Sequence, residues 1–386
     1  MNIVILHRIP FAKIRYDRSI DHGRHTVRYL IPSAFDDLPS TVERRVLGVP
    51  SDDVLALAER HADWLGDADK LIARSEYDLL TAARLRAKFG IPGDLPADVL
   101  PLRDKWLMRV RAAEAGIPQP AFWSVEDFRR EPPGDGTYLI KPRLEASSTG
   151  IETGDARHIA ARLAAGVDPD AVFVEEFVPG EIWNIDGYVR RGEIGAVVSS
   201  VYVGDCLGFA HGSPLGCAQA PDPPQALSLL RETLRTLGQR DGCFNFECIR
   251  AADGRFLFLE TGSRVGGAGV AETFELRTGV NLYQKDLEHQ LHGHIEDTPR
   301  RPCSDYYGWF VFPGHHRTRP AVVRFDPARF GGLLRSFVRN DRPATRFGQI
   351  SYAPAATPLS GVVQGSADEV RRTLREICFE TEVVER

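Results

Sequence analysis

This sequence of 386 residues lacks the marks of membrane, secreted and nucleic-acid-binding proteins. No apolar run reaches the roughly 18 residues of a membrane-spanning helix, and the apolar run within MNIVILHRIP is too short for a signal peptide. The slightly acidic chain, with net charge −5, has no basic cluster, which argues against nucleic acid as its main partner. Its six cysteines form no CxxC pair, so we expect reduced thiols in a cytoplasmic protein.

Two common nucleotide-binding motifs are also absent. No Gly-Lys pair occurs, which excludes a Walker A loop, and no G-x-G-x-x-G follows the first apolar run. The glycine-rich SRVGGAG (263–269) comes after a predicted strand and before a predicted helix, but deep in the chain and with the wrong spacing. Neither the P-loop fold nor the dinucleotide-binding Rossmann fold is supported. Lysine is scarce as well, with six lysines against 42 arginines.

The composition that is present indicates a folded chain of two or three domains, since 43% of residues are hydrophobic. NIVIL (2–6) has the pattern of a buried parallel strand, and helical and strand patterns alternate after it, as in an α/β layer domain. Residues 90–101 are rich in turn formers and predict a boundary. From residue 137 onward the pattern changes to strands joined by Gly and Pro turns. Residues 243–260 predict a hairpin.

Lys141 ends the predicted strand TYLIK and precedes PRLEASSTGI. A lysine at a strand end beside a loop rich in Ser, Thr and Gly suits a phosphate, which it can meet with a point charge, amide groups and hydroxyls. A salt-bridged lysine at a sheet edge beside an ordinary polar turn is the alternative.

Acidic residues follow in two places. VFVEEFVPGE (172–181) could present backbone groups to an adenine edge and Glu181 to ribose hydroxyls, or it could be a strand with solvated acids. Glu247 and Glu260 lie on the two arms of the predicted hairpin, where two carboxylates on one face need a cation such as magnesium between them. The alternative, two surface acids flanking a turn, is weakened by the aromatic and aliphatic residues around them.

The order of these pieces over about residues 100–270 resembles the ATP-grasp superfamily. Its members carry a lysine in a helix, a second lysine before a flexible loop, an acidic hinge ending in Pro-Gly-Glu, a pair of glutamates on two strands, and an Arg- and Gly-rich segment. ARSEYDLLTAARLRAKFGIPG (73–93) is similar to the strand, glutamate and helix that precede the first lysine. KPRLEASSTGI and LETGSRVGGAG look most similar to carboxylate–amine ligases that join amino acids or small peptides, and less similar to biotin carboxylases.

The resemblance implies an α/β (α+β) fold of three domains. It places an N-terminal parallel α/β domain at residues 1–100 and a small ATP-binding lid subdomain at 101–180. A C-terminal antiparallel-sheet domain with an extra α/β segment then occupies residues 181–386.

The resemblance also implies an ATP site with Mg²⁺ or Mn²⁺. The residues it assigns to ATP are Lys105, Lys141, Ser147, Ser148, Thr149, Gly150, Glu175, Glu176, Phe177, Val178 and Glu181. Those of the hinge, 175–178, would act mostly through the backbone. Glu247 and Glu260 become the metal ligands.

One position departs from the family pattern. Many members have an asparagine two residues after the second glutamate as a further metal ligand, whereas this chain has Gly262 there. A second magnesium is in doubt unless water or Ser263 substitutes. Arg264 matches the arginine that stabilises the acyl phosphate and the tetrahedral intermediate, and the resemblance gives Lys141 a catalytic role as well. Gly266 and Gly267 would let backbone amide groups approach the same anion.

The implied reaction forms an amide bond through an acyl phosphate, with small-molecule carboxylate and amine substrates and release of ADP. Residues 204–220, which include His211, could line the substrate pocket or form an ordinary surface loop. A carboxylase or purine-biosynthetic ligase, and a degenerate protein that binds ATP without turnover, are the alternatives.

Dimers are common among similar proteins, which allows a homodimer here. The adjacent His315 and His316 favour a structural role over metal binding.

Overall fold

The computed structural model describes residues 1–32, 37–49, 53–301, 303–316, 321–341, 343 and 350–385. Their strands form three main sheets that follow one another along the chain, together with a two-stranded ribbon. Within these residues no helix has both the length and the apolar character needed to cross a membrane.

The first sheet is parallel, with strand order β3-β2-β1-β4. Its strands are β1 (Asn2–Leu6), β2 (Thr26–Ile31), β3 (Glu43–Val46) and β4 (Lys70–Ala73). The helices that accompany it are α1 (Phe11–Ile14), α2 (Val54–Arg60), α3 (Ala62–Leu65), α4 (Leu79–Phe89) and α5 (Pro96–Val99). Ile3 and Ile5 pack in one core cluster and Val4 in another, so β1 is buried on both faces, as its unbroken apolar pattern predicts.

The second sheet is small and antiparallel, with strand order β5-β8-β6-β7. Its strands are β5 (Phe122–Trp123), β6 (Thr137–Pro142), β7 (Glu152–Asp155) and β8 (Val172–Glu176). Helix α6 (Lys105–Glu114) precedes it, and α7 (Val125–Arg130) and α8 (Ala156–Ala164) belong to it.

The third sheet has eight antiparallel strands in the order β13-β12-β9-β10-β11-β14-β17-β16. They are β9 (Gly180–Arg190), β10 (Glu193–Val203), β11 (Leu215–Ala220), β12 (Gly242–Ala251), β13 (Phe256–Gly262), β14 (Tyr306–Phe312), β16 (Leu334–Arg339) and β17 (Leu359–Gly365). The ribbon consists of β15 (Ala321–Arg324) and β18 (Glu382–Glu385). The helices of this part are α9 (Cys206–Ala210), α10 (Pro224–Leu237), α11 (Val270–Thr278), α12 (Leu282–His292) and α13 (Ala367–Glu380).

The two faces of the third sheet differ in chemistry because side chains alternate along a strand. On one face Ile185, Phe244 and Phe246 are buried in a core with residues of α10. On the other face lie Asn184 and Asp186 of β9 and Asn245 and Glu247 of β12. This polar face therefore adjoins the cavity described below, and the apolar face holds the hairpin in place.

Helix α6 begins where the sequence predicts. The Asp104 carboxylate accepts hydrogen bonds from the amides of Trp106 and Leu107, at 2.9 and 3.3 Å, and so caps the helix. Arg143 binds the same carboxylate at 2.6 Å. The cap fixes Lys105 as the first residue of the helix, next to the strand end that carries Lys141.

Candidate active site

A cavity of about 1650 Å³ lies where the three sheets meet. Lys13 and Glu76 line it from the first sheet's region, Lys141 from the second, and Glu247 and Glu260 from the third. Its volume exceeds the roughly 300–1,000 Å³ typical of a pocket for one small ligand. The cavity therefore has room for a nucleotide and further small substrates.

The two glutamates of the predicted hairpin face each other in this cavity. Glu247 on β12 pairs directly with Glu260 on β13, and a bulge follows Glu247. Burial, reinforced by the neighbouring Glu260, raises the pKa of Glu247, whose carboxylate accepts a 2.8 Å hydrogen bond from the Tyr202 hydroxyl. Burial opposes ionisation of Glu260 too, but the positive charges of Lys105, Lys141 and Arg264 lower its pKa. Two adjacent carboxylates form a site that a divalent cation would neutralise.

The donor chemistry of this pair fits Mg²⁺, which prefers carboxylate and other oxygen ligands. In the part of the chain that the structure describes, no group of three or more His, Cys, Asp or Glu side chains could hold a metal. Further ligands would therefore have to be neutral oxygens or oxygens of the substrates.

Both predicted lysines lie in the cavity and each bonds a glutamate. Lys105 Nζ lies 3.0 Å from Glu260 and donates to the Glu145 carbonyl at 2.8 Å. Lys141 pairs with Glu175, a buried carboxylate that Arg109 also binds at 2.6 Å. Two cations thus hold the Glu175 side chain, and its backbone pairs with Phe122 and Leu139 on the two neighbouring strands.

The other hinge residues are positioned by strand ends. The amides of Glu176 and Phe177 donate to the carbonyls of Ala121 and Thr137, at 2.8 and 2.9 Å. Glu181, predicted to bind ribose, lines the cavity and is bonded by Arg371 of α13 at 2.5 Å. A ribose at this point would have to share or displace Arg371.

The loop at residues 147–150 extends over the cavity. Ser147 and Ser148 both have φ of +57°, a left-handed conformation that non-glycine residues seldom adopt, and Gly150 has φ of +72°. The Ser147 side chain lies beside Tyr352 and the Thr149 side chain beside Tyr77, and each lowers the pKa of its tyrosine against the effect of burial. The loop thus contacts both flanking parts of the molecule, as a cover over bound phosphates would.

Arg264 lies beside a glutamate that the sequence analysis leaves out of the site. Its guanidinium bonds Glu76, which follows β4 and also pairs with Arg103 at 3.2 Å. Burial alone would raise the pKa of Glu76, but Arg264, Arg103 and Lys105 outweigh it and lower the pKa. Its position just after a parallel strand was the available signal, because ligand sites form at the carboxyl ends of such strands.

Gly266 and Gly267 lie in the cavity wall but differ in their surroundings. A Cβ at Gly266 would be 2.5 Å from the Asp186 carboxylate, whereas a Cβ at Gly267 would have no atom within 4 Å. Gly266 is thus required for close packing, and Gly267 leaves its backbone open to a ligand.

The far end of the cavity carries residues that sequence reasoning missed. Lys13 Nζ donates to the carbonyl of Ala268, 255 residues away in sequence. Burial lowers the pKa of Lys13 to about 8, although the charge of Glu272 partly opposes this. His211 and other residues of the 204–220 segment line the cavity as well. No local sequence pattern links Lys13 to this wall.

The remaining residues noted in the sequence are His315 and the six cysteines. His315 is buried against Phe209, and its Nε2 lies 3.2 Å from the Ala210 carbonyl. All six cysteines are free thiols. These observations agree with the structural role expected for the histidine and with reduced cysteines.

No protein-family model matches the chain. An L-arginine-specific L-amino acid ligase from Bacillus subtilis is 24% identical over 279 residues, which are 68% of this chain and 66% of that protein. The chain thus spans about two thirds of the length of this curated relative.

Two solved structures share the whole architecture. An L-amino acid ligase from Bacillus licheniformis superposes with a TM-score of 0.73 at 16% identity, over 100% of this chain and 98% of its own. N5-carboxyaminoimidazole ribonucleotide synthetase from Thermotoga maritima gives 0.65 at 14% identity, over 100% and 99%. These likenesses confirm the three-part α/β fold expected from the sequence.

Proposed function

We propose that this chain, which has the ATP-grasp fold, is an ADP-forming ligase that joins a carboxylate to an amine, with an amino acid or small peptide as substrate. The observation that carries the proposal is the pair Glu247 and Glu260, set beside Lys105 in the cavity of this fold. The likeness in sequence and structure to L-amino acid ligases supports the substrate class.

We assign the nucleotide end of the cavity to Lys105, Lys141, Glu175–Val178, Glu181 and the loop at 147–150. The two lysines would bind the phosphates of ATP, and their present partners Glu260 and Glu175 hold them in place until then. Val178 follows β8, whereas the amides of Glu176 and Phe177 are already bonded, so the Val178 amide is the donor we assign to adenine.

Glu247 and Glu260 would hold Mg²⁺ or Mn²⁺, which supplies charge neutralisation for the phosphates when bound. The carboxylate substrate attacks the γ-phosphorus of ATP, the bond to the bridging oxygen breaks, and ADP leaves. The amine then attacks the acyl carbon, loses a proton and expels phosphate. Arg264, oriented by Glu76, and the amides near Gly267 would stabilise the negative charge in both steps. The loop at 147–150 excludes water from the acyl phosphate.

We assign the acceptor end of the cavity to Lys13 and Glu272, which line it together with His211. An amino acid that attacks through its amine still carries a carboxylate, and a cation in the cavity wall would bind it. Lys13, directed at Ala268 beside Gly267, is the residue that we assign to this carboxylate. The charge of Glu272 acts on Lys13, and the buried Asp186 carboxylate lies against Gly266 of the same loop.

The test is a phosphate-release screen of the purified protein with ATP, Mg²⁺ and pairwise mixtures of amino acids, with products identified by mass. We expect ADP, phosphate and an amide-linked product in equal amounts. Glu260→Ala should abolish turnover, whereas Glu193→Ala, at an exposed position on β10, should not. Full turnover by Glu260→Ala would contradict the assignment.

Two other functions would give different results in the same assay. ADP release that needs bicarbonate and no amino acid would indicate a carboxylase or purine-type ligase, which the likeness to the Thermotoga synthetase favours. Binding of ATP without turnover on any pair of substrates would indicate a degenerate site. This alternative arises because Gly262 stands where many similar proteins have a metal-binding asparagine. A homodimer and a cytoplasmic location stay predictions, which sedimentation velocity and cell fractionation would test.

A further inference from the structure

Position 262 cannot easily carry the metal-binding asparagine of similar proteins. A Cβ there would lie 3.1 Å from the Glu76 carboxylate, closer than ordinary contact. Glu76 is held at this place by Arg264 and Arg103. The missing side chain at residue 262 thus makes room for the glutamate that orients Arg264, and an oxygen ligand for a second cation must come from elsewhere.

Ser263, one of the substitutes suggested by the sequence, does not fit. In strand β13 and its continuation, residues 260 and 262 share a face, so Ser263 belongs to the opposite face. Its hydroxyl accepts a 3.4 Å hydrogen bond from Gln239, and its carbonyl accepts one from Arg74. The serine is therefore engaged away from the glutamate pair.

An amide oxygen is available directly across the hairpin. Asn245 on β12 pairs with Gly262, and Glu247, two residues later, pairs with Glu260. Side chains two residues apart share a face, and opposite residues of an antiparallel pair have Cβ positions about 4.5–5.5 Å apart. Asn245, Glu247 and Glu260 thus form one cluster in the cavity wall.

The Asn245 amide is oriented by buried partners. Its Nδ2 donates to Asn184 Oδ1 at 2.7 Å and to Asp186 Oδ1 at 3.0 Å, which uses both of its hydrogens. Asn184 and Asp186 are only 1% and 3% exposed. No side chain or amide in the described part of the molecule donates to Asn245 Oδ1. The oxygen therefore points away from these partners, toward the cavity.

We propose that Asn245 supplies the neutral oxygen ligand of a second divalent cation, together with Glu260 and the phosphates of the nucleotide. The ligand that similar proteins place on the second strand of the hairpin is here moved to the first strand. This inference rests on the proposed function, because it needs bound ATP. Asn184 and Asp186 act as positioning residues that fix the amide.

The test is a titration with Mn²⁺ in the presence of a non-hydrolysable ATP analogue, with free Mn²⁺ measured by electron paramagnetic resonance and analogue binding measured by calorimetry. The wild-type chain should bind two Mn²⁺ ions. Asn245→Ala should still bind the analogue with one Mn²⁺, and its second site should weaken by roughly tenfold or more. Asn245→Asp, which keeps an oxygen at this position, should bind two.

Thr261→Val is the matched control, since Thr261 lies on the opposite face of the same strand pair and is buried. It should bind two Mn²⁺ ions. Two ions bound by Asn245→Ala with wild-type affinity, a single ion bound by the wild type, or equal loss in Asn245→Ala and Thr261→Val would each overturn the inference. Failure of the wild type to bind the analogue at all would instead overturn the proposed function.

Discussion

The two ends of the cavity, which we assign to the nucleotide and to the acceptor, hold their charges in different ways. At the nucleotide end, Lys105 and Lys141 each pair with a glutamate, and Arg109 completes the arrangement around Glu175. At the acceptor end Lys13 donates to a carbonyl, and behind Gly266, in the adjoining wall, Asp186 accepts from two side-chain amides. Within the described residues neither forms an ion pair.

This difference appears in the pKa values. Burial lowers the pKa of Lys13 to about 8 and raises that of Asp186 to about 7, because a buried charge without an opposite charge beside it is costly. Partial desolvation in the cavity wall likewise raises the pKa of Glu272. We infer that Lys105 and Lys141 are positioned by ion pairs before any ligand binds, whereas Lys13 and Asp186, like Glu247 of the metal-binding pair, change their charge near neutral pH.

The largest effect should follow from Lys141→Ala at the nucleotide end. Loss of a cation that neutralises the phosphates should lower kcat/KM for ADP formation about a thousandfold or more. Steady-state ADP release measures this, and the melting temperature reports whether the chain is still folded. Lys88→Ala, an exposed lysine in α4, is the control and should keep full activity. Wild-type turnover by Lys141→Ala would remove the nucleotide end from its assigned role.

Arg109→Leu should cost the most stability. Arg109 and Glu175 are 2% and 1% exposed, so the substitution removes one of two cations from a buried carboxylate and should lower the free energy of unfolding by about 3–5 kcal/mol. Arg162→Leu breaks the exposed pair with Glu152 and should cost less than about 1 kcal/mol. Urea denaturation would compare the two. Equal losses would contradict the view that ion pairs organise the nucleotide end.

Asp186→Asn should change how stability depends on pH. Between its ordinary pKa of 3.8 and about 7, Asp186 binds its proton in the folded chain but not in the unfolded one. Its contribution to stability therefore falls as the pH rises through this window, by about 2–3 kcal/mol between pH 5 and pH 8.

The asparagine does not titrate, so the stability of wild type relative to Asp186→Asn should fall over the same range. Denaturation of the ligand-free protein at the two pH values would measure this difference. Asp253→Asn, in the exposed β12–β13 turn, is the control and should give no such fall. A difference that does not change between pH 5 and pH 8 would show that Asp186 does not titrate in this range and would contradict a pKa of about 7.

The smallest effect should come from Lys13→Met. Loss of the cation should raise KM for an amine substrate bearing a free carboxylate about tenfold, roughly 1.4 kcal/mol, and leave KM for its carboxamide unchanged. In the wild type this KM should also rise above about pH 8, where Lys13 loses its proton, and in the variant it should not. An equal rise for the acid and the carboxamide would exclude a direct contact with the carboxylate.

Local patterns predicted much of the fold and the local structure that carries the residues assigned to the nucleotide. The Asp104 cap, the apolar β1 and the hairpin with Glu247 and Glu260 each depend on neighbours close in sequence, and each is present in the structure. The same reasoning could have placed Asn245 in the site, because it lies two residues before Glu247 and so shares a face of the strand with it.

Contacts between distant segments could not be predicted. Lys13 meets Ala268 across 255 residues, Arg264 meets Glu76 across 188, and Arg371 meets Glu181 across 190. No residue near them in sequence specifies these partners, because each partner is determined by how the three sheets pack together. At the acceptor end the sequence therefore indicated the 204–220 segment with His211, but not Lys13.

An isotope-transfer experiment decides whether a substrate carboxylate is activated as an acyl phosphate. The protein is supplied with ATP, Mg²⁺, the amine substrate and a carboxylate substrate labelled with ¹⁸O. We predict one ¹⁸O atom in the released phosphate for each amide formed, with ADP as the other product. Unlabelled phosphate accompanying amide formation, or label recovered in AMP, would contradict it.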